Sequence, residues 1–218
     1  MDRKFANRFL TKLSKRFDLC KRNRAAYRLI GKNGLYVAIC LIFQGSNWCK
    51  GEFYCWKCIQ CLFFPYYMPD IKIPLGIGGS RIHTPENHER WSEDEFTLEE
   101  EYVMNIYGNF LHDNSSLDLI YSNILSSNKD FDSFYDVYAL QDAMYIAVVL
   151  GRFSDAKILA ERVLSWKEDP YDWFVYAQTN AKKVLKNIEN GTTDVLLDWL
   201  KEVQAKAIED MKIKLPQQ

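Results

Sequence analysis

The sequence predicts an α+β protein, with an N-terminal helix plus a small antiparallel sheet over residues 1–84 and a C-terminal bundle of about six helices over residues 85–218. Three observations carry this division. Asn33-Gly34 splits two apolar, β-rich runs. The apolar period changes from alternating to helical past the stretch Thr84–Trp91. The charge also changes sign: residues 1–84 hold 15 Lys and Arg against 4 Asp and Glu, while residues 85–218 hold 13 against 25, so a net charge of −1 hides two surfaces of opposite sign.

Residues 2–17 form the first element. Phe5, Phe9, Leu13 and Phe17 recur every fourth position with Leu10 beside them, and Arg3, Lys4, Arg8, Lys12, Lys15 and Arg16 cover the rest. A basic amphipathic helix of this kind packs on a sheet with its charges in water, lies on a membrane, or binds RNA. Arg24–Ile30 reads as a short strand and Leu35–Gln44 as a buried one, with Leu35, Val37, Ile39, Leu41 and Phe43 on one face. Asn33-Gly34 between them predicts a hairpin, because both residues tolerate the positive φ of a type I′ turn. Glu52–Phe64 is apolar on both faces, as in a strand covered on both sides. Pro65, Pro69 and Pro74 then end regular pairing, and Ser80–His83 is a candidate last strand.

The second half opens with two capping-box spacings, Ser92 with Glu95 and Thr97 with Glu100, ahead of the apolar positions of Leu98–Leu111. Further helices are expected at Leu117–Leu125, Phe134–Leu150, Asp155–Trp166 capped by Ser154, Tyr171–Ile188, and Asp194–Ile213 capped by Thr193. Gly151 and Asn190-Gly191 mark helix ends. Val149–Trp166 has the form of a tetratricopeptide-like hairpin, with Gly151 in the turn and the small residues Ala156 and Ala160 four apart. No second copy recurs at the expected period, so a single helical hairpin is predicted and not a repeat array.

The N-terminus is charged and lacks the apolar core of a secretory signal, and no apolar run approaches the ~20 residues of a spanning helix. All six Cys fall within the first 61 residues. Reduced thiols and a cytoplasmic location are therefore expected.

Candidate chemistry begins with Cys49, Cys55, Cys58 and Cys61. The CxxCxxC spacing matches the opening of an iron–sulfur signature, but the run continues Leu62-Phe63-Phe64-Pro65 without the fourth Cys. On a strand, Cys58 faces away from Cys55 and Cys61, so the thiolates cannot converge. Buried, inert thiols are expected and no metal. His83 and His88 are five apart across Pro85, His112 is remote, and HExxH is lacking. The chain has no GxSxG, P-loop or GxGxxG, and Gly76-Ile77-Gly78-Gly79 is a turn signal. The expectation is a non-enzyme with no cofactor. The remaining candidate is the acidic run Trp91–Glu101. First-turn carboxylates are favoured by a helix dipole, yet Glu93, Asp94, Glu95, Glu99 and Glu100 around Trp91 also suit docking to a basic protein.

Tyr27-Arg28, Gly34-Leu35, Gln44-Gly45-Ser46-Asn47-Trp48 and Phe53-Tyr54 follow the N-terminal helix in order, and Gly79-Ser80-Arg81-Ile82 comes later. Residues 4–83 thereby resemble the bacterial family called domain of unknown function 4304, which departs from this chain in having a polar residue where Cys55-Trp56-Lys57 stands. The family brings no catalytic residues. A sheet domain with an idiosyncratic helical tail is similar to immunity proteins of polymorphic toxin and contact-dependent growth inhibition systems. That likeness implies stoichiometric neutralisation of a cognate toxin, and an acidic face would match a basic nuclease. The expected partner is that toxin, with no direct nucleic acid and no membrane. The alternatives are a helical adaptor without a toxin, and a metal-dependent or nucleic-acid-handling enzyme using the Cys cluster and the basic half.

Overall fold

The computed structural model describes residues 3–22, 25–45, 53–65, 88–91, 100–127, 136–166 and 172–215. In chain order it contains α1 (Arg3–Phe17), β1 (Cys20–Arg22), β2 (Ala25–Lys32), β3 (Leu35–Gly45), β4 (Phe53–Cys61) and β5 (His88–Trp91). Six helices follow: α2 (Glu100–Asp113), α3 (Leu117–Ser127), α4 (Asp136–Leu150), α5 (Phe153–Ser165), α6 (Asp172–Glu189) and α7 (Thr193–Met211). The expected α+β class is what forms.

The sheet is a five-stranded antiparallel meander in the order β1-β2-β3-β4-β5. Asn33 and Gly34 join β2 to β3 with φ of 55° and 78°, the two positive values a type I′ turn demands. β1 is an addition to the expected strands; three residues are too few for alternation to register. The candidate strand Ser80–His83 lies outside the described residues. The strand that pairs with β4 is His88–Trp91, which follows residue 84 in the chain yet completes the sheet.

Side chains alternate across β3 as a strand requires. Leu35, Val37, Ile39 and Leu41 join the main core with Ile59 and Cys61 of β4, Ala26 of β2, and the helices. Ala38, Cys40 and Ile42 point the other way, against Ala25, Tyr27, Cys58 and Leu62, where Met211 and Ile213 from the chain's end cover them. Both faces of the central strands are thus dry, which explains their nearly continuous apolar character. Sheet and helices share one core. Each fully buried aliphatic side chain in it contributes roughly 1.5–3 kcal/mol.

α1 buries Phe9, Leu10 and Leu13 on the sheet's inner face. The side chains of Phe5 and Phe43 lie outside the described set. The helical half is built outward from α4, whose residues 137–149 are buried apart from half-buried Tyr138. A helix apolar all round has to be central, and α4 touches α3, α5 and α6. From α3 onward successive helices pack in series, and α4 with α5 forms the expected hairpin, in which Ala156 and Ala160 are fully buried.

Four helices end in the same way. A residue with positive φ follows α1 (Asp18, 51°), α4 (Gly151, 79°), α6 (Gly191, 68°) and α7 (Lys212, 49°). The next N–H then reaches back to a carbonyl of the last turn: Leu19 to Ser14 at 2.9 Å, Arg152 to Ala147 at 2.8 Å, Thr192 to Asn187 at 2.9 Å and Ile213 to Ile208 at 3.0 Å. These are Schellman ends, which satisfy orphan carbonyls. They also displace two expected caps. α5 starts at Phe153 with Arg152 at its N-cap, so Ser154 lies inside the helix. α7 starts at Thr193 with Thr192 at its N-cap, and the Thr192 hydroxyl is spent on Asn187 Oδ1 at 2.9 Å. No helix among the described residues is long and apolar enough to cross a membrane.

Candidate functional site

Trp91, the aromatic member of the expected docking face, ends the edge strand β5, where it pairs with Phe53 of β4. Glu100 opens α2. Glu93, Asp94, Glu95 and Glu99 lie outside the described residues, in the run that links the sheet's edge to α2. The described carboxylate of the run is Glu101. It accepts a hydrogen bond from Arg16 of α1 at 2.9 Å, and its side chain remains 79% exposed. Exposed pairs of this kind are worth about 0–1 kcal/mol. Arg16–Glu101 therefore joins the basic and acidic halves without burying either charge.

The cysteines sort by face. Cys58 joins the outer cluster and Cys61 the inner one, so the two point to opposite sides of β4 as the spacing predicts. Cys40 stands directly across from Cys58 in the β3–β4 register. Tyr27 and Cys20 continue that row over β2 and β1. Burial pushes the Cys40 thiol well above its ordinary pKa, and the neighbouring Cys58 adds to the effect. Burial does the same to Cys61, reinforced by Asp142. Thiols held protonated in this way are poor nucleophiles and poor ligands. Cys49 and the Cys55 side chain lie outside the described set. Among the described residues no group of three or more His, Cys, Asp or Glu could hold a metal ion. His112 is exposed beside Asp113 at 3.4 Å, His88 starts β5, and His83 lies outside the description.

Cys61, Asp142 and Tyr145 form an interior polar group that sequence reasoning missed. Their exposures are 3%, 0% and 0%, so no substrate reaches them from solvent. The Tyr145 hydroxyl is driven well up by burial, then by Tyr176, Asp142 and Cys61.

The structure also gives shape to the basic helix. Asn7, Arg8, Thr11, Lys12 and Lys15 line a shallow concavity of about 500 Å³ along the outer side of α1. Lys21 of β1 reaches back to its rim. There its ammonium donates to the Asn7 carbonyl at 3.0 Å and to Thr11 Oγ1 at 2.9 Å. The sequence signal for this feature is a fifteen-residue helix without a single carboxylate. No family model, no curated protein and no solved structure matches the chain.

Proposed function

We propose that the protein acts by stoichiometric protein binding, as an immunity-type antitoxin that occludes a basic nuclease toxin through the acidic run Trp91–Glu101. The observation that carries the reading is the 79% exposure of Glu101. Its carboxylate keeps most of its surface in water although Arg16 is within reach, so the start of α2 offers negative charge outward. Charge complementarity there speeds capture and makes it salt-sensitive. No bond is made or broken by the protein itself.

The test is isolation of the full chain with its bound protein at low salt, identification of that protein, and titration against it. A basic toxin domain is expected. The variant Glu99→Lys/Glu100→Lys/Glu101→Lys should bind it at least tenfold more weakly, mostly through a slower on-rate. Unchanged binding by that variant overturns the acidic face.

A second reading, the helical adaptor, is favoured by the exposure of one large aliphatic side chain on each of three successive helices: Ile158 at 62%, Val175 at 56% and Val195 at 59%. It predicts a partner held regardless of salt and lost on Ile158→Glu/Val175→Glu.

A further inference from the structure

The chain holds two Asn-Gly pairs, Asn33-Gly34 and Asn190-Gly191, and all four residues are exposed. Asn before Gly is open to attack of the next backbone nitrogen on the side-chain amide, because Gly puts no side chain in the way. The fold treats the two pairs differently. Gly191 follows α6, and its N–H donates to the Ile188 carbonyl at 3.1 Å inside a Schellman end. Asn190 does not share the positive φ of Asn33. In a type I′ turn the hydrogen bonding belongs to the flanking pair, here Lys32 and Leu35. Among the described residues the Gly34 N–H donates to no backbone carbonyl. The Asn33 amide likewise has no hydrogen-bond partner among them. The attacking nitrogen and the group it attacks are thus both unprotected.

We propose that Asn33 is a site of spontaneous deamidation, and that its conversion to isoaspartate releases the hairpin from α7. As the Gly34 N–H gives its proton to solvent hydroxide, the nitrogen bonds to Asn33 Cγ. The Cγ–Nδ2 bond breaks, and the amide nitrogen leaves as ammonia with a proton from water. The cyclic imide so formed takes up one water. Breaking the new N–Cγ bond gives aspartate, whereas breaking the original peptide bond gives isoaspartate, whose backbone runs through Cβ. The imide ring fixes ψ near the value of about −120° that the first central residue of a type II′ turn adopts. Asn33, with φ at 55°, is already in the matching φ range. Turning over the single peptide between Asn33 and Gly34 converts one turn into the other, and Gly34 accepts its new φ because it lacks Cβ. Isoaspartate then adds a backbone atom to a two-residue loop whose length sets the strand register. The Gly34 carbonyl, which accepts from Gln204 Nε2 at 2.7 Å, belongs to that loop and is displaced. The companion bond from the Tyr36 N–H to Gln204 Oε1, also 2.7 Å, depends on the same register. A chain that has aged at Asn33 therefore loses its tie between β3 and α7. The acidic run plays no part in this, so it stands independently of the antitoxin reading.

The test is incubation of the full chain in mildly alkaline buffer, with peptide mapping by mass spectrometry and isoaspartyl methyltransferase labelling at intervals. In the native chain Asn33 should convert roughly tenfold faster than Asn190, the factor set by breaking the hydrogen bond that holds Gly191. In denaturant the two rates should become alike. Chain enriched in isoaspartate at residue 33 should melt at a lower temperature than fresh chain and exchange the Tyr36 amide faster. Asn33→Gly keeps a turn that Gly-Gly favours and should hold its thermal midpoint through the same incubation. Asn190→Gly should age at residue 33 as the parent does. Equal or slower conversion at Asn33 in the native chain overturns the site, and a preference that persists in denaturant overturns the structural cause. An aged chain with undiminished midpoint and Tyr36 protection overturns the link to α7.

Discussion

The side chain of Gln204 stands in for a peptide group beside Tyr36. The Tyr36 N–H donates to Gln204 Oε1 at 2.7 Å, and Gln204 Nε2 donates to the Gly34 carbonyl at 2.7 Å. The two backbone groups flank Leu35, so one amide from α7 closes the pattern that a parallel neighbour would make across alternate residues of β3. Helix and hairpin are thereby locked in register across 168 residues of sequence. Gly34 is exposed and its carbonyl can turn to water, whereas the Tyr36 N–H is half-buried. Gln204→Leu should therefore cost about 1–3 kcal/mol in urea unfolding, with faster hydrogen exchange at the Tyr36 amide. Gln204→Glu keeps the acceptor for Tyr36 but turns a carboxylate oxygen toward the Gly34 carbonyl at a buried position, so near neutral pH it should cost at least as much as the Leu variant. A Leu variant as stable as the parent would show that the clamp contributes nothing.

A second prediction concerns the junction of α3 and α5. The Tyr121 hydroxyl donates to Asp155 Oδ2 at 3.2 Å, while Arg152 lies 5.1 Å over its ring and pairs with Asp118 at 2.6 Å. Burial, then the Asp155 charge and hydrogen bond, push the Tyr121 pKa from 10.0 to about 12, against a smaller opposing effect of Arg152. The group is an acid whose folded pKa is raised. Its contribution is complete below pH 10 and is lost as pH climbs from 10 to about 12. Stability should fall by about 2 kcal/mol across that window. Tyr121→Phe should lessen the slope of this part of the curve and remove one high-titrating phenol from an ultraviolet titration, leaving that of Tyr145, which burial also drives well up. A parent curve already flat there would show that Tyr121 titrates normally.

Thiol reactivity gives the third prediction. Cys20 is exposed, whereas Cys40, Cys58 and Cys61 are at most 3% exposed. Maleimide labelling of the native chain with peptide mapping should modify Cys20 promptly and spare the other three until denaturant is added. Prompt labelling of Cys40 would mean that the cover supplied by Met211 and Ile213 opens readily.

What the residues disclosed in advance depended on how local the cause was. Asn33-Gly34 needs positive φ at two adjacent positions, and the turn follows from those two residues. Cys58 and Cys61 take opposite faces because a strand alternates, whatever surrounds it. The caps expected at Ser154 and Thr193 do not form because the preceding Schellman turns, at Gly151 and Gly191, let each helix start one or two residues earlier in the chain. Gln204 with Tyr36, and Lys21 with Asn7 and Thr11, join separate elements in space, and no spacing announces them. The acidic run was legible as charge alone, and of its carboxylates Glu101 is the one whose contacts are described.

The four Schellman ends make the final prediction, because two carry glycine and two do not. At Gly151 and Gly191 an added Cβ would meet no atom within 4 Å, so a side chain there suffers no clash. Gly151→Ala or Gly191→Ala thus sets the left-handed backbone cost of about 1–2 kcal/mol against an unfolded-chain contribution of about 0.5–1 kcal/mol in the opposite sense, for a net loss of about 0.5–1 kcal/mol each. Asp18 and Lys212 already bear that cost at φ of 51° and 49°. Both side chains are exposed, so replacing them sacrifices little packing. Asp18→Gly and Lys212→Gly relieve the strain but give the unfolded chain extra freedom worth about 0.5–1 kcal/mol. The balance is a gain of about 0.5–1 kcal/mol at each site, readable as a raised urea midpoint with an unchanged m-value. Opposite signs for the two pairs are the signature of a shared backbone conformation. If all four variants were destabilised alike, the Asp18 and Lys212 side chains would have to be holding their turns through contacts of their own.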